Sequence, residues 1–422
     1  MTHATPVLAR AVPSPSPLSF WAKTGREKDE IYQVLRADHP VSWQPPAEGS
    51  MMPQQGDDAG YWAVVRHADV ITVSRDPETF SSARGIQMED VPDDISEAAS
   101  SFLATDAPRH THLRRLVSSA FTPRRLRTLE GQLKVEAKTI VDQLIERGDG
   151  GDFVRDLSAR LPMWTVFTLM GVPESQRLRV AETAAEMVAW ADEDVQAGRE
   201  PAEVLHEALL SLISTGLNLA EERRRNPQDD LLTNLVQAEI DGQRLTDEEI
   251  SAFFVLLSVG GNDTTRQTTS HAALALTEHR RQREWLMADF DGRIGHAVEE
   301  MVRWATPVMT FRRTALRDTV LNGQEISEGD WVVMFYQSAN RDETVFDRPW
   351  DFDLSRDPNP HVGFGGGGPH FCLGYQLAKT QLRIIFDELL HRVPDFEVAD
   401  PVRLRSNFID GITSMPYRLN LR

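Results

Sequence analysis

The run His361-Val362-Gly363-Phe364-Gly365-Gly366-Gly367-Gly368-Pro369-His370-Phe371-Cys372-Leu373-Gly374 constrains this chain most, because it joins a glycine-rich loop to a helix-like stretch, Tyr375 to Phe386. Glycine has no Cβ, so such a loop lets backbone approach a large flat or charged ligand without a side-chain clash. Cys372 is the sole cysteine of the chain and cannot form an intrachain disulfide. At a helix start it lies near the positive end of the helix dipole, where its pKa falls and free backbone N–H groups can bond the sulfur. A shielded thiolate of that kind suits a soft metal ligand. A buried structural cysteine beside a flexible loop fits the same residues, and the loop by itself does not identify a metal.

A long apolar stretch adds the second constraint. Thr246-Asp247-Glu248-Glu249 reads as a capping box, with Thr246 at the cap and Glu249 three residues on. The pattern from Ile250 through Phe253, Phe254 and Leu257 to about Thr277 predicts one long buried helix. In its middle stands Gly260-Gly261-Asn262-Asp263-Thr264-Thr265. Helix-interior glycines cost about 1 kcal/mol each relative to alanine, and a buried Asp or Thr costs more unless bonded. The expected result is a kink or bulge that opens a groove for a small ligand, with a hydroxyl from Thr264 and a proton path from Asp263. A plain kink, with Thr264 bonded back to a carbonyl, is the competing reading.

Asp106 to Arg115 predicts a helix opening at Pro108. His110 and Arg114 lie four apart, so one face of it presents two donors. Arg115, Arg124, Arg125 and Arg127 extend this positive charge in a chain of formal net charge −19. Such a cluster could steer an acidic partner; a solvated basic face is the alternative. Glu300 and Arg303 share a helical face, a pairing that contributes only about 0.2–0.5 kcal/mol when exposed. Leu129 to about Asn226 is mostly helical in pattern, and Met187 and Trp190 within it suit core packing. Val41 to Trp43, Tyr61 to Val65, Thr310 to Leu321, Gln324 to Ile326 and Trp331 to Tyr336 predict strands, with a tight turn at Asn322-Gly323.

The fold class expected is therefore mainly α with small β-sheets (α+β). Residues 1–20 read as a flexible arm rich in Pro, Ser and Ala, and 21–422 as a single domain. The acidic balance argues against nucleic acid as a partner. One cysteine suggests a reducing compartment. Prolines interrupt the N-terminus where a signal-peptide core would lie. The longest apolar run, near Phe253 to Val259, is far short of the roughly 20 residues that a membrane span needs. The expectation is a cytoplasmic protein without a membrane anchor.

The series Phe364…Gly367…His370-Phe371-Cys372-Leu373-Gly374 resembles the haem-binding loop of the cytochrome P450 family. One residue departs from it: an extra glycine separates Phe364 from Cys372, as in an actinobacterial subset that oxidises sterol side chains and methyl-branched lipids. The resemblance runs from about residue 20 to the end, with at least four motifs in the family's order. It implies that Cys372 ligates the iron of haem b and that His110, Arg114, Arg313, His361, His370 and Gly374 help bind the cofactor. It implies that Asp263 and Thr264 are an acid–alcohol pair beside bound O2. Gly260, Val308, Met309, Phe311 and Ile412 would line the substrate pocket, and helices between Leu129 and Asn226 would form its lid. Glu300 and Arg303, with Arg356 as third member, would form a structural ion network.

The activity so implied is monooxygenation: hydroxylation of an apolar, long-chain or methyl-branched lipid or a sterol side chain. NAD(P)H would supply electrons indirectly, through a ferredoxin reductase and a ferredoxin, to a monomeric enzyme. A small terpenoid or polyketide is the rival substrate. A haem-thiolate enzyme using peroxide or nitric oxide, which often loses the acid–alcohol pair, is a second alternative. A haem-free relative acting as a binding partner is a third, against which Cys372 argues.

Overall fold

The computed structural model describes residues 12–421 apart from 53, 55–58, 91–101, 119–122 and 241. Its architecture is mainly helical with small sheets, the class that the pattern indicates. The Thr246 capping box forms: Thr246 Oγ1 accepts from the Glu249 N–H at 3.2 Å, and Glu249 Oε2 accepts from the Thr246 N–H at 2.9 Å. The apolar stretch behind it is not one helix but two, Asp247–Gly260 and Asp263–Glu278. A Cβ added at Gly261 would lie 2.5 Å from Val166 Cγ2, so the break is pressed against the helix Arg160–Met170.

Two apolar bodies enclose the break. The larger packs the helices Pro123–Arg147, Asp263–Glu278, Phe290–Ala305 and Tyr375–Arg392 around fully buried residues such as Ala273, Met301, Phe386 and Leu389. Each large apolar side chain buried there contributes about 1.5–3 kcal/mol. The second body packs the helices Glu174–Val188, Pro201–Arg225 and Asp247–Gly260 around Leu212, Phe253 and Phe254.

A five-stranded sheet flanks both. Its order is Val41–Gln44, Tyr61–Val64, Trp331–Phe335, Thr310–Ala315, Phe80–Ser81. The first pair is antiparallel with Val41 opposite Val64, as the sequence suggests. The second pair is parallel, with Ala63 opposite Val333, and so joins strands far apart in sequence. Thr319–Leu321 and Gln324–Ile326 form a hairpin through Asn322 and Gly323, whose φ values of 48° and 78° are those of a type I′ turn.

The expected boundary at residue 20 needs correction. Within the described residues Ser16 and Phe20 are each 1% exposed, and Leu18–Trp21 is a short helix. Phe20 and Trp21 pack with Tyr32 and Phe335, so the apolar pair anchors a segment that proline content alone marked as loose. Residues 1–11 of the proposed arm lie outside the described residues. So do 91–101 of the irregular segment before His110, and the side chains of Arg124, Arg125 and Arg127.

Candidate active site

The cysteine loop, the broken helix and the strand Thr310–Ala315 face one another across a cavity of about 250 Å³. Cys372, Gly374, Phe364, Gly365, Gly366 and Gly367 line one side. Gly260, Gly261, Thr264 and Thr265 line the other. Val166, Leu257, Val308 and Phe311 supply apolar wall, and Arg114 and Arg313 are its cations.

Besides lining the cavity, the loop packs on a helix through its glycines. A Cβ on Gly366 would lie 2.5 Å from Ser74 Oγ, and one on Gly368 would lie 2.3 Å from the Ser74 carbonyl oxygen. Gly368 also has φ +76°, a conformation that side chains rarely adopt. The loop thus runs hard under the helix His67–Arg75. Despite the added glycine, Phe364 lines the cavity, and its carbonyl accepts from the Cys372 N–H at 3.0 Å, closing the loop on the cysteine.

Cys372 corrects one expectation. Its thiol is pushed up, not down: burial outweighs the Gly374 N–H and the Arg114 charge. The helix begins only at Tyr375, with Gly374 as its cap, so the dipole alone does not ionise a buried sulfur. A cation on the cavity side of the sulfur would reverse the balance.

Around the loop stands a cluster of basic groups. His110, 2% exposed, lies ring to ring with His370 at 4.2 Å. His110 Nε2 and His370 Nδ1 are buried with no hydrogen-bond partner among the described residues. Ser82 Oγ holds His370 Nε2 at 3.1 Å. Arg114 donates to the Phe371 carbonyl at 2.6 Å, and Arg313, 5% exposed, donates to the Arg312 carbonyl at 2.7 Å. Neither arginine has a carboxylate in an ion pair among the described residues. Burial, then the positive charges of Arg313, His110 and Arg114, hold His370 down to about 3.

Three expected site residues are elsewhere. His361 is bonded at both ring nitrogens, to Glu299 Oε2 at 3.0 Å and to the Gly363 N–H at 3.1 Å, and lies off the cavity. Met309 packs into the cluster of Tyr32 and Phe335, with Lys28 Nζ on its sulfur at 3.4 Å. Neighbours in extended chain point to opposite sides, so Val308 and Met309 cannot share a wall. Ile412 is fully buried in the large core, its N–H held by Gln267 Oε1 at 2.7 Å. The turn before it makes the approach instead: Phe408 meets Phe311 at 5.5 Å.

At the helix break, Thr264 Oγ1 donates to the Gly260 carbonyl at 2.9 Å, the bond of the plain kink, while the residue also lines the cavity. Asp263, 2% exposed, lies behind it in an ion pair with Arg266, and its Oδ2 has no hydrogen-bond donor among the described residues.

On the far side of the loop Glu300 and Arg303 are each 0% exposed and joined by two 2.7 Å bonds. Arg356 Nε donates to Glu300 Oε2 at 3.2 Å, Asn359 Nδ2 to the same oxygen at 3.1 Å, and the Asp353 N–H to Oε1 at 3.0 Å. Asn340 was not legible in sequence. Its carbonyl accepts from Arg303 at 2.9 Å and its Oδ1 from the Val362 N–H at 2.8 Å, tying the ion network to the cysteine loop. Glu299 was also missed; burial would push it up, but His361 and Lys379 hold it down to about 2.

A lone thiol faces the helix break across the cavity, beside two buried ring nitrogens that are unpartnered among the described residues. The cytochrome P450 family pattern matches residues 163–408. The methyl-branched lipid omega-hydroxylase of Mycobacterium tuberculosis is 40% identical over 402 residues, covering 94% of this chain and 92% of that one. The steroid C26-monooxygenase of Mycolicibacterium smegmatis is 40% identical, covering 90% and 87%. A Mycobacterium marinum cytochrome P450, solved in complex with pseudoionone, is 52% identical and superposes with a TM-score of 0.95 over 98% of this chain and 100% of that one. The chain belongs to the cytochrome P450 family and is a monooxygenase, an oxidoreductase that uses haem-thiolate and O2.

Proposed function

We propose that this enzyme hydroxylates an apolar chain near its end: a long, methyl-branched lipid or a sterol side chain. The observation that carries the reading is the cavity itself, apolar on Val166, Leu257, Val308 and Phe311 and opening on Cys372 and Thr264. The lipid- and steroid-named relatives at 40% identity support it. The terpenoid alternative draws on the Mycobacterium marinum neighbour, whose complex holds pseudoionone.

The residues fit a haem. Cys372 would ligate its iron, and Arg114, Arg313, His110 and His370 would take its two propionates, which satisfies the orphaned ring nitrogens. Bound there, a haem would supply O2 activation for C–H hydroxylation. The chain's own part is position and protons. Thr264 Oγ1 is the proton-bearing atom on the cavity wall, fixed by the Gly260 carbonyl. Asp263 relays protons to it from behind, the positioned acid of the pair. Leu257 and Val166 exclude water and hold the apolar chain against the reacting side.

Electrons are proposed to come singly from a ferredoxin served by an NAD(P)H-dependent reductase, to a monomeric cytoplasmic enzyme. Among the described residues no helix is long and apolar enough to cross a membrane. The test of substrate class is a panel of fatty acids, sterols and terpenoids in Soret-shift titrations. Methyl-branched chains and sterols should bind most tightly; preference for small terpenoids would overturn the reading.

A further inference from the structure

Next to the active-site cavity lies a second one, of about 70 Å³, between the short helix Leu18–Trp21, the lid segment near Trp190 and the turn carrying Asn407 and Phe408. The two share a wall. Val259 lines the outer cavity and the next residue, Gly260, lines the inner one. Phe408 of the outer cavity meets Phe311 of the inner one edge-on at 5.5 Å.

The outer cavity is apolar on Trp21, Val188 and Trp190 but contains a buried carboxylate, Glu89, only 7% exposed. Asn407 Nδ2 donates to Glu89 Oε1 at 3.1 Å. Asn407 is held in turn, its carbonyl accepting from Thr310 Oγ1 at 2.8 Å. The other charged groups of the cavity are committed: Glu48 caps the Leu18 N–H at 3.0 Å, and Arg405 donates to Glu193 at 2.8 Å. Burial pushes Glu89 up to about 7, against the pull of Asn407 and Arg312. Nothing in the proposed chemistry uses this group, and burying it unpaired to a cation is costly.

We propose that the outer cavity is a subsite for the remote end of the substrate, where Glu89 and Asn407 bind a hydroxyl group and reject a carboxylate. The inference rests on the apolar-chain reading above and narrows it to chains bearing an alcohol at the end away from the oxidised carbon. A hydroxyl both donates and accepts, so it can bond Glu89 and the amide of Asn407 at once. A carboxylate can only accept, and it brings a second negative charge to a buried one.

The test is Soret-shift titration of the haem-loaded enzyme near pH 8.5, above the value of about 7 to which burial raises Glu89 so that it is ionised, with three probes that share one methyl-branched chain and end in an alcohol, a methyl ether or a carboxylic acid. The alcohol should bind about tenfold more tightly than the acid, the scale of one hydrogen bond to a charged group. Glu89→Gln removes the charge at constant shape; acid binding should strengthen about tenfold while alcohol binding changes less than about threefold. Glu89→Leu should weaken alcohol binding to the level of the ether. Equal affinities for the three probes in the parent, or ratios that neither substitution moves, overturn the subsite and leave the apolar-chain reading standing. Failure of the parent to bind any of the three overturns that reading, and the subsite with it.

Discussion

Two clusters of buried charge flank the cysteine loop, and they are built on opposite principles. In the Glu300–Arg303–Arg356 cluster each carboxylate oxygen has at least two donors, and Arg303 also bonds the Asn340 and Pro349 carbonyls. In the His110–Arg114–Arg313–His370 cluster the basic groups crowd together, and two ring nitrogens have no partner among the described residues. Buried polar groups are normally bonded, so the first cluster is finished by the chain, and the second is the one that the proposed haem propionates would complete. One cluster spends its polar groups within the chain, and the other leaves ring nitrogens over among the described residues.

Breaking the finished cluster should have the largest effect. Arg303→Ala takes the doubly bonded cation from Glu300, which is 0% exposed and keeps only Arg356, Asn359 and the Asp353 N–H, and should cost about 3–5 kcal/mol, seen as loss of soluble, haem-loaded protein or a much lower denaturant midpoint. A midpoint within error of the parent would show that the brace carries no stability.

Arg313→Leu tests the unfinished cluster. It should weaken haem retention by about 1.5–3 kcal/mol, the scale of a charge-assisted bond, measured as faster haem transfer to a haem-free globin. The haem-free form should be as stable as the parent or more so, since the change removes a cation that burial already disfavours. Equal destabilisation of both forms would make Arg313 a brace like Arg303.

Thr264→Ala removes a hydroxyl whose folded-state bond is local, so stability should shift by less than about 1 kcal/mol. Product formed per NAD(P)H consumed should fall roughly tenfold, below the range of a lost acid–base group. Unchanged coupling would refute the oxygen-side role.

Glu299→Gln should give the smallest effect, about 1 kcal/mol after discounting for its partial exposure. Glu299 is depressed to about 2 from 4.5. Its contribution is therefore complete above pH 4.5 and is lost as pH falls from there towards 2. Denaturant midpoints of parent and variant should differ at pH 7 and draw together below pH 4.5; a constant gap would contradict the assignment.

The two clusters also differ in how far sequence reveals them. Glu300 and Arg303 share a face by spacing, but spacing could not say that the face is buried; Arg356 and Asn340 reach it through loops with no periodicity. His110 and Arg114 were visible as a helical donor pair, whereas His370 enters from a loop 260 residues on, by the numbering of the two histidines. His361 was expected to join them because it precedes the glycines; Glu299, one residue before the brace, captures it instead. The helix break was legible from Gly260-Gly261 because interior glycine is unfavourable. The close approach of Val166, which leaves no room for a Cβ at Gly261, is a tertiary contact that no local pattern records.

The central claim is that Cys372 is a metal-ligating thiolate when the cavity is filled. The carbon-monoxide difference spectrum of the reduced, haem-loaded protein tests it most directly. The parent should show the red-shifted Soret band of thiolate ligation, and Cys372→Ala should lose it. A parent without the shifted band, or a variant that keeps it, would contradict the account.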